Sequence, residues 1–472
     1  MVRAMEKEFE IALDRIKKVQ NRDYSAPDIR HEILNIFESL CSLILLLLKT
    51  VQELKNEINL LKGEQAKPEF EKREEVTEPK KEERMEKETK KWEKSSKKDK
   101  IKIDREVIIA FPKDELPPDA VFKGYERKIV QNIIVKTDNV LYYLEKYYSP
   151  SKSKTYTAKV DESIQNTQFG PETKALIFSL YYENRVTQNK IASFLNANGL
   201  HISEGTISNI LIKEQNKNLT QIKHEILKAG LASRIYSQID DTGAKIAGKP
   251  AYTTIVCNEN YSVFFTNRSK SRATIKEFLT EDLVKLFVIL VGDDAPQFKK
   301  IALIFALCWV HEERLFKKLV PILDAHKEEV QRVRDEIWAY YDRLKDYKQE
   351  PTEQKKQKLW DDFDELFSQE VSYEMLSKRL SLTLEKKEEL LVVLDYPEVP
   401  LHNNQSEIGL REMVIKRKIS GGVETEEGKV AWENNMSILE TCKKLGIPYY
   451  DYMKGIFSKN IIINLPELIL LQ

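Results

Sequence analysis

Apolar positions set the first pattern along the chain. Ile33, Phe37, Leu40, Ile44, Leu47, Val51, Leu54, Ile58 and Leu61 alternate in steps of four and three, the heptad of a helix that buries one stripe against a partner. The spacing predicts a coiled coil over residues 1–66, paired with a second copy of the chain or with an intrachain helix at 8–19. An amphipathic helix packed on its own domain is the rival reading. β-branched residues and leucines are mixed along both rows, so a dimer is the simplest assembly, and trimer and tetramer stay open. Residues 67–106 then lose the stripe. Charges of both signs dominate, and so little apolar surface cannot offset chain entropy, which predicts a solvated linker or a frayed helix.

From residue 107 the period shortens. VIIAF at 107–111 and the alternation within KIVQNIIVKTDNVLYYLEKYYSPSKSKTYTAKV predict strands joined at Asp138-Asn139 and at 150–154, a small β module over 107–160. A helical period follows from Pro171 through Ala175, Leu176, Phe178, Leu180 and Tyr181. Thr187 starts a helix carrying Ile191, Ala192, Phe194 and Leu195 that stops at Gly199. Ser203 caps the next one, with Ile207, Ile210 and Leu211 inward. This is helix-turn-helix spacing within 168–230, and it leaves Glu204, Thr206, Asn209 and Lys213 outward, where they could reach DNA. Helical hairpins of this kind also occur in proteins that never touch DNA.

Residues 235–239 and the β-rich runs after them read as strands, and the unbroken apolar run 286–291 reads as a strand covered on both faces. Further on, Leu323, His326, Val330, Val333, Ile337, Tyr340 and Leu344 form one helical face. Leu359, Phe363, Leu366 and Phe367 form another, with Pro351 between them. The expectation is an all-α insertion over 309–400 that interrupts an α/β core at 231–308 and 401–450, with a tail at 451–472. Beyond Pro397 and Pro400, Asn403 or Asn404 is suited to start a helix whose face carries Glu407, Leu410, Arg411, Val414 and Lys418. Its bland reading is a capping box, Asn404 with Glu407.

Composition narrows the classes. The 76 basic residues are balanced by 76 acidic ones, which argues against binding nucleic acid by bulk charge and leaves local basic patches as the route. Cys41, Cys257, Cys308 and Cys442 are scattered without CxxC spacing, matching a reducing cytosol better than a disulfide scaffold. No signal-peptide pattern opens the sequence, and the apolar run 43–48 falls far short of the roughly 20 residues a membrane span requires. A cytoplasmic protein without a membrane partner is expected.

The chemistry gathers on acids at element ends. Asp240-Asp241 closes one strand, Asp293-Asp294 follows another, and Glu407 lies near a helix start. A strand-end Asp alone is commonly a turn former, but three such carboxylates are what a two-metal phosphodiester site needs. Four blocks then carry a resemblance: DDTG with GK downstream, VGDD, CWVHEERLFKKL at 308–319, and NNQSEIGLR running into KRKISGG with EEGK after it. In this order they resemble the insertion-sequence 66 family of bacterial transposases, and a further match begins near FGPETKALIF, so that the resemblance covers roughly 168–447.

The resemblance implies a multidomain α+β chain whose catalytic core is ribonuclease-H-like, with Asp240, Asp293 and Glu407 as the Asp-Asp-Glu ligands of two Mg²⁺ or Mn²⁺ ions about 4 Å apart. Asp240 would bridge both ions. Successive strand residues face opposite sides, so only one acid of each pair can face the site, and the family pattern selects the first. Arg411, Lys416, Arg417 and Lys418 would hold phosphates, although such clusters are often merely solvated. Asn403, Asn404, Trp309 and His311 are read as supports behind the ligands; His311 could also contact DNA or a metal. The family's paired cysteines near the small β module are missing here, so no zinc is expected, and packing of Tyr142, Tyr143, Tyr147, Tyr148 and Tyr156 would replace it.

The implied function is a DNA transposase that cuts and joins phosphodiesters at the ends of an insertion sequence. Its partners would be the terminal repeats, target DNA, a second copy of the chain through the coiled coil and, in some such systems, accessory transposition proteins. Two rivals are a catalytically inactive DNA-binding regulator and a coiled-coil scaffold, which would leave the DDTG and KRKISGG blocks without purpose.

Overall fold

The computed structural model describes residues 102–472 except 113–116, 118, 166, 461 and 462, and below residue 102 only Ile36, Leu40 and Leu47. Leu40 and Leu47 are helical. The remaining heptad positions, and with them the coiled coil, its pairing and most of the charged linker, lie outside the described residues.

The described residues within 102–137 form part of a separate unit and carry no helix or strand. The strands expected at 107–111 and 128–135 are therefore not formed. A strand persists only when its ladder groups are paired, and these segments have no partner strand among the described residues. A hairpin does form at β1 (Lys146–Ser149) and β2 (Lys154–Thr157), in the register Lys146 to Thr157 and Ser149 to Lys154, around the expected turn. Tyr142, Tyr143, Tyr147, Tyr148 and Tyr156 stand exposed, so the aromatic packing expected in place of zinc is absent from the described residues.

A helical region follows: α1 (Pro171–Phe178), a π-helical turn (Ser179–Glu183), α2 (Gln188–Ala197), α3 (Glu204–Ile212) and α4 (Asn216–Ser233). Local chemistry sets these bounds. Gly199, at φ +88°, takes the left-handed turn after α2, and the Ser203 hydroxyl accepts from the Thr206 N–H at 3.1 Å to open α3. Ile207, Ile210 and Leu211 are buried, as their spacing requires.

Next comes a five-stranded sheet in the order β5-β4-β3-β6-β7. It contains β3 (Tyr236–Ile246), β4 (Lys249–Cys257), β5 (Ser262–Asn267), β6 (Ile289–Gly292) and β7 (Ile304–Leu307), with α5 (Arg272–Phe278) and α6 (Glu281–Val284) between β5 and β6. β3 pairs antiparallel with β4 and β4 with β5, whereas β6 lies parallel to β3 and β7 parallel to β6. Two further helices, α12 (Asn404–Ser420) and α13 (Glu426–Lys444), return from far along the chain to this sheet. α12 lies close on β4 because residue 409 is Gly: a Cβ there would stand 2.4 Å from Ile255. α13 covers the edge strand β5 chemically as well as sterically. Glu433, Ser437 and Thr441 recur every fourth residue, and their side chains accept from the N–H groups of Thr266 (2.7 Å), Phe264 (3.0 Å) and Ser262 (3.2 Å). The last helices are α14 (Tyr449–Phe457) and α15 (Leu465–Leu470).

Between β7 and α12 the chain builds helices around a second hydrophobic cluster: α7 (Trp309–Lys317), α8 (Asp324–Gln349), α9 (Glu353–Phe367), α10 (Glu374–Leu384) and α11 (Lys387–Leu390). Val330, Val333, Ile337, Tyr340 and Leu344 of α8 are buried there with Leu359, Phe363 and Phe367 of α9, the two faces read from the sequence. Two positions depart from those faces: Leu323 is exposed and Leu366 only half-buried.

Candidate active site

The pairing of β3 with β6 ends at Gln238 and Val291, while β3 and β4 stay paired to Ile246. β3 therefore runs on past the point where β6 stops at Gly292. Asp240 and Asp241 sit on this overhang beside Asp293 and Asp294, and the first turns of α12 bring Glu407 to the same end of the sheet.

The two residues of each acidic pair part company, Asp240 and Asp241 by strand alternation on β3 and Asp293 and Asp294 in the turn just past β6. One Asp240 oxygen accepts from the backbone N–H of Asp241 at 2.8 Å, and the other from the Asn403 amide at 3.4 Å. Asp241 instead accepts from Gln297 at 2.8 Å and lies 3.8 Å from Lys270. Asp293 accepts from the N–H of Ala295 at 3.2 Å. Asp294 is held by Lys299 and Lys386, each at 2.7 Å. Glu407 does not cap its own helix. Its carboxylate receives Arg314 at 3.0 and 3.5 Å and lies 3.3 Å from the His311 Nε2, so the capping-box alternative is not realised.

Electrostatics separates the pairs further. Burial pushes the Asp240 carboxyl up to about 7; the Asp241 N–H pulls the other way, and the negative charges of Asp293, Asp241 and Glu407 add to the rise. Asp293 is also raised by burial, against the opposing pull of the Ala295 N–H and of His311. Burial acts on Asp294 as well, but the hydrogen bonds from Lys299 and Lys386 prevail and hold it below the usual carboxylate range.

The remaining candidates are scattered. Asn403 is fully buried, with its Oδ1 lacking a hydrogen-bond partner, and the His311 Nδ1 is likewise buried and unpartnered. Asn404 is exposed. Trp309 belongs to the insertion core, edge-on or tilted against Tyr340, Phe363 and Phe367, and its indole N–H donates to the Leu390 carbonyl at 2.9 Å. Lys416 bonds the Tyr181 hydroxyl at 2.6 Å and Arg417 the Gly243 carbonyl, whereas Arg411 and Lys418 face solvent. Glu204, Asn209 and Lys213 are exposed and Thr206 partly so; among the described residues no hydrogen bond or ion pair joins them to the carboxylates. Their region is nonetheless tied to α12 through Tyr181 and through the Arg185–Glu412 ion pair.

Sequence reasoning missed Arg314, Lys270, Gln297, Lys299 and Lys386. Only Arg314 left a local signal, since it follows His311 by three positions on one helix and so shares its face. Among the described residues no three His, Cys, Asp or Glu side chains converge tightly enough to close around a single ion.

Known proteins bear on this arrangement. An uncharacterized protein of Sinorhizobium fredii, y4jO, is 31% identical, over an alignment that covers 48% of this chain and 93% of that protein. Residues 166–431, which include the sheet, the helices between β7 and α12 and all three candidate acids, match the sequence model of the Transposase IS66 family, and the chain belongs to that family.

Proposed function

We propose that this transposase cleaves and joins DNA strands at the ends of its element through divalent cations held by Asp240, Asp293 and Glu407, on a ribonuclease-H-like core formed by the five-stranded sheet. The observation that carries the reading is the Asp240 carboxyl. It is half-buried, and burial together with the charges of Asp293 and Glu407 raises it to about 7, with no ion pair from its own chain among the described residues. The donor set fits hard cations, which take carboxylate and amide oxygens, and the unpartnered Asn403 Oδ1 is a further oxygen beside Asp240.

When bound, such ions supply the Lewis acidity that makes a nucleophile of water or a 3′-hydroxyl and neutralises the leaving oxygen. The chain's own residues do the rest. Asp240, which feels the charges of both Asp293 and Glu407, would hold the ions together with those two acids. Asn403 orients it through the amide hydrogen bond, and the Ala295 N–H does the same for Asp293. Arg411 and Lys418, exposed on the Glu407 helix, would hold phosphates, while Lys416 and Arg417 brace that helix against Tyr181 and β3. Glu204, Thr206, Asn209 and Lys213 would contact the DNA ends from α3.

The test is a nicking assay on the element's own DNA ends with Mg²⁺ or Mn²⁺. Asp240→Asn, Asp293→Asn and Glu407→Gln should each reduce cleavage by about 10³-fold or more with DNA binding changed only a few-fold. Nicking at the wild-type rate by any of them removes that residue from the reading. A wild type that binds the ends without nicking them under any divalent ion supports the inactive-regulator alternative.

A further inference from the structure

Arg314 is the cation closest to Glu407, and its setting differs from that of every other charge on α7. The base of this helix is fixed, because the Trp309 ring is buried and the Trp309 N–H donates to the Leu401 carbonyl at 3.0 Å. The next acids are bound inward: Glu312 is buried against Arg379, Thr383 and Lys386, and Glu313 against Arg334. Arg314, the next residue, faces Glu407 instead. Its guanidinium meets both oxygens of Glu407, and its side chain is 45% exposed against 23% for Glu407. Solvent thus reaches the arginine more than the carboxylate, and the His311 Nε2 lies 3.3 Å from the same guanidinium.

We propose that Arg314 is an exchangeable counter-ion, holding Glu407 while no divalent cation is bound and passing to a DNA phosphate when a cation takes that carboxylate. The inference rests on the assignment of Asp240, Asp293 and Glu407 as metal ligands. Two physical facts carry it. A half-exposed ion pair contributes at most about 1 kcal/mol, so it yields readily to a divalent ion. The planar guanidinium fork also matches a phosphate as well as it matches a carboxylate. Cation and phosphate then favour the same arrangement, and each strengthens the binding of the other.

Two measurements on the full chain test this. Mn²⁺ binding without DNA, followed by electron paramagnetic resonance, should be about three- to fivefold tighter in Arg314→Gln than in the wild type. Arg314→Lys, which keeps the charge, should stay near the wild type. Binding to a duplex oligonucleotide of arbitrary sequence should then be titrated with salt, with and without Ca²⁺. With Ca²⁺ the wild-type slope of log affinity against log salt should exceed that of Arg314→Gln by about one; without Ca²⁺ the two slopes should agree. Mn²⁺ affinity in Arg314→Gln equal to or weaker than wild type overturns the exchange, as do equal slopes in Ca²⁺. Asp240→Asn serves as the control. If it binds Mn²⁺ like the wild type, the ligand assignment itself is wrong and the exchange falls with it; if it loses Mn²⁺ binding while Arg314→Gln gains nothing, only the exchange fails.

Discussion

Asp293 and Asp294 are neighbours in sequence and belong to opposite electrostatic worlds. Asp294 looks toward the root of the helical insertion, where Lys386 joins it to Glu312 and Arg379 and Lys299 joins it to Glu389. In that network every acid meets a basic side chain from its own chain. Asp293 looks toward Asp240 and Glu407, where burial and like charge raise the Asp240 and Asp293 carboxyls, and the basic side chains nearby are His311 and Arg314, both against Glu407, and Lys270, beside Asp241. The difference is the one the proposed metal site requires: the network around Asp294 carries its own counter-ions, whereas among the described residues no ion pair reaches Asp240 or Asp293.

If that contrast is right, removing a carboxylate should have opposite consequences in the two regions. The largest effect is expected in the network. Glu312→Gln leaves the mostly buried Arg379 without its carboxylate, while Lys386 keeps Asp294, and should destabilise the protein by about 3–5 kcal/mol in denaturant unfolding. A loss below 1 kcal/mol would mean that the network is ornamental and the comparison empty.

In the site the sign reverses. The Asp240 carboxyl lies at about 7 in the native chain against a reference value of 3.8. Between those values the native state holds a proton that the unfolded state has released, so stability falls as pH rises and the loss persists above about 7. Asp240→Asn should therefore stabilise the metal-free protein near pH 8, by on the order of 4 kcal/mol at most, and have little effect near pH 4. Saturating Mg²⁺ should narrow the gap by stabilising the wild type alone. Equal shifts at both pH values would show that Asp240 is compensated within its own chain.

The smallest effect belongs to Asp294→Asn, which sharpens the comparison at its boundary. Both of its lysine pairs are about one-third exposed at the aspartate, so a loss near 1 kcal/mol is expected, with cleavage retained within roughly tenfold. A loss of cleavage as complete as in Asp293→Asn would reverse the facing of the pair.

Legibility followed the reach of each interaction. Helix starts at Ser203 and Asn404, the stop at Gly199 and the acids at strand ends were readable because caps, glycines and periodicity act within a few residues. The Glu407–Arg314 and Asp294–Lys386 pairs join positions about ninety residues apart, and no local pattern encodes such partners. Alternation at 107–111 and 128–135 misled for a related reason: β propensity describes how a segment fits a sheet and cannot supply the neighbouring strand. The division of labour between Asp293 and Asp294 followed from alternation only as a choice between two facings, and the lysines that decide it lie on other elements.

The most direct measurement of the central claim is an anomalous difference map from crystals of the full chain grown with Mn²⁺. The account predicts density beside Asp240, within coordination distance of Asp293 or Glu407, with Arg314 turned away from Glu407 wherever that carboxylate is a ligand. Density at Asp294 and Glu389, or a Mn²⁺-soaked crystal in which Asp240, Asp293 and Glu407 touch no ion, would contradict it.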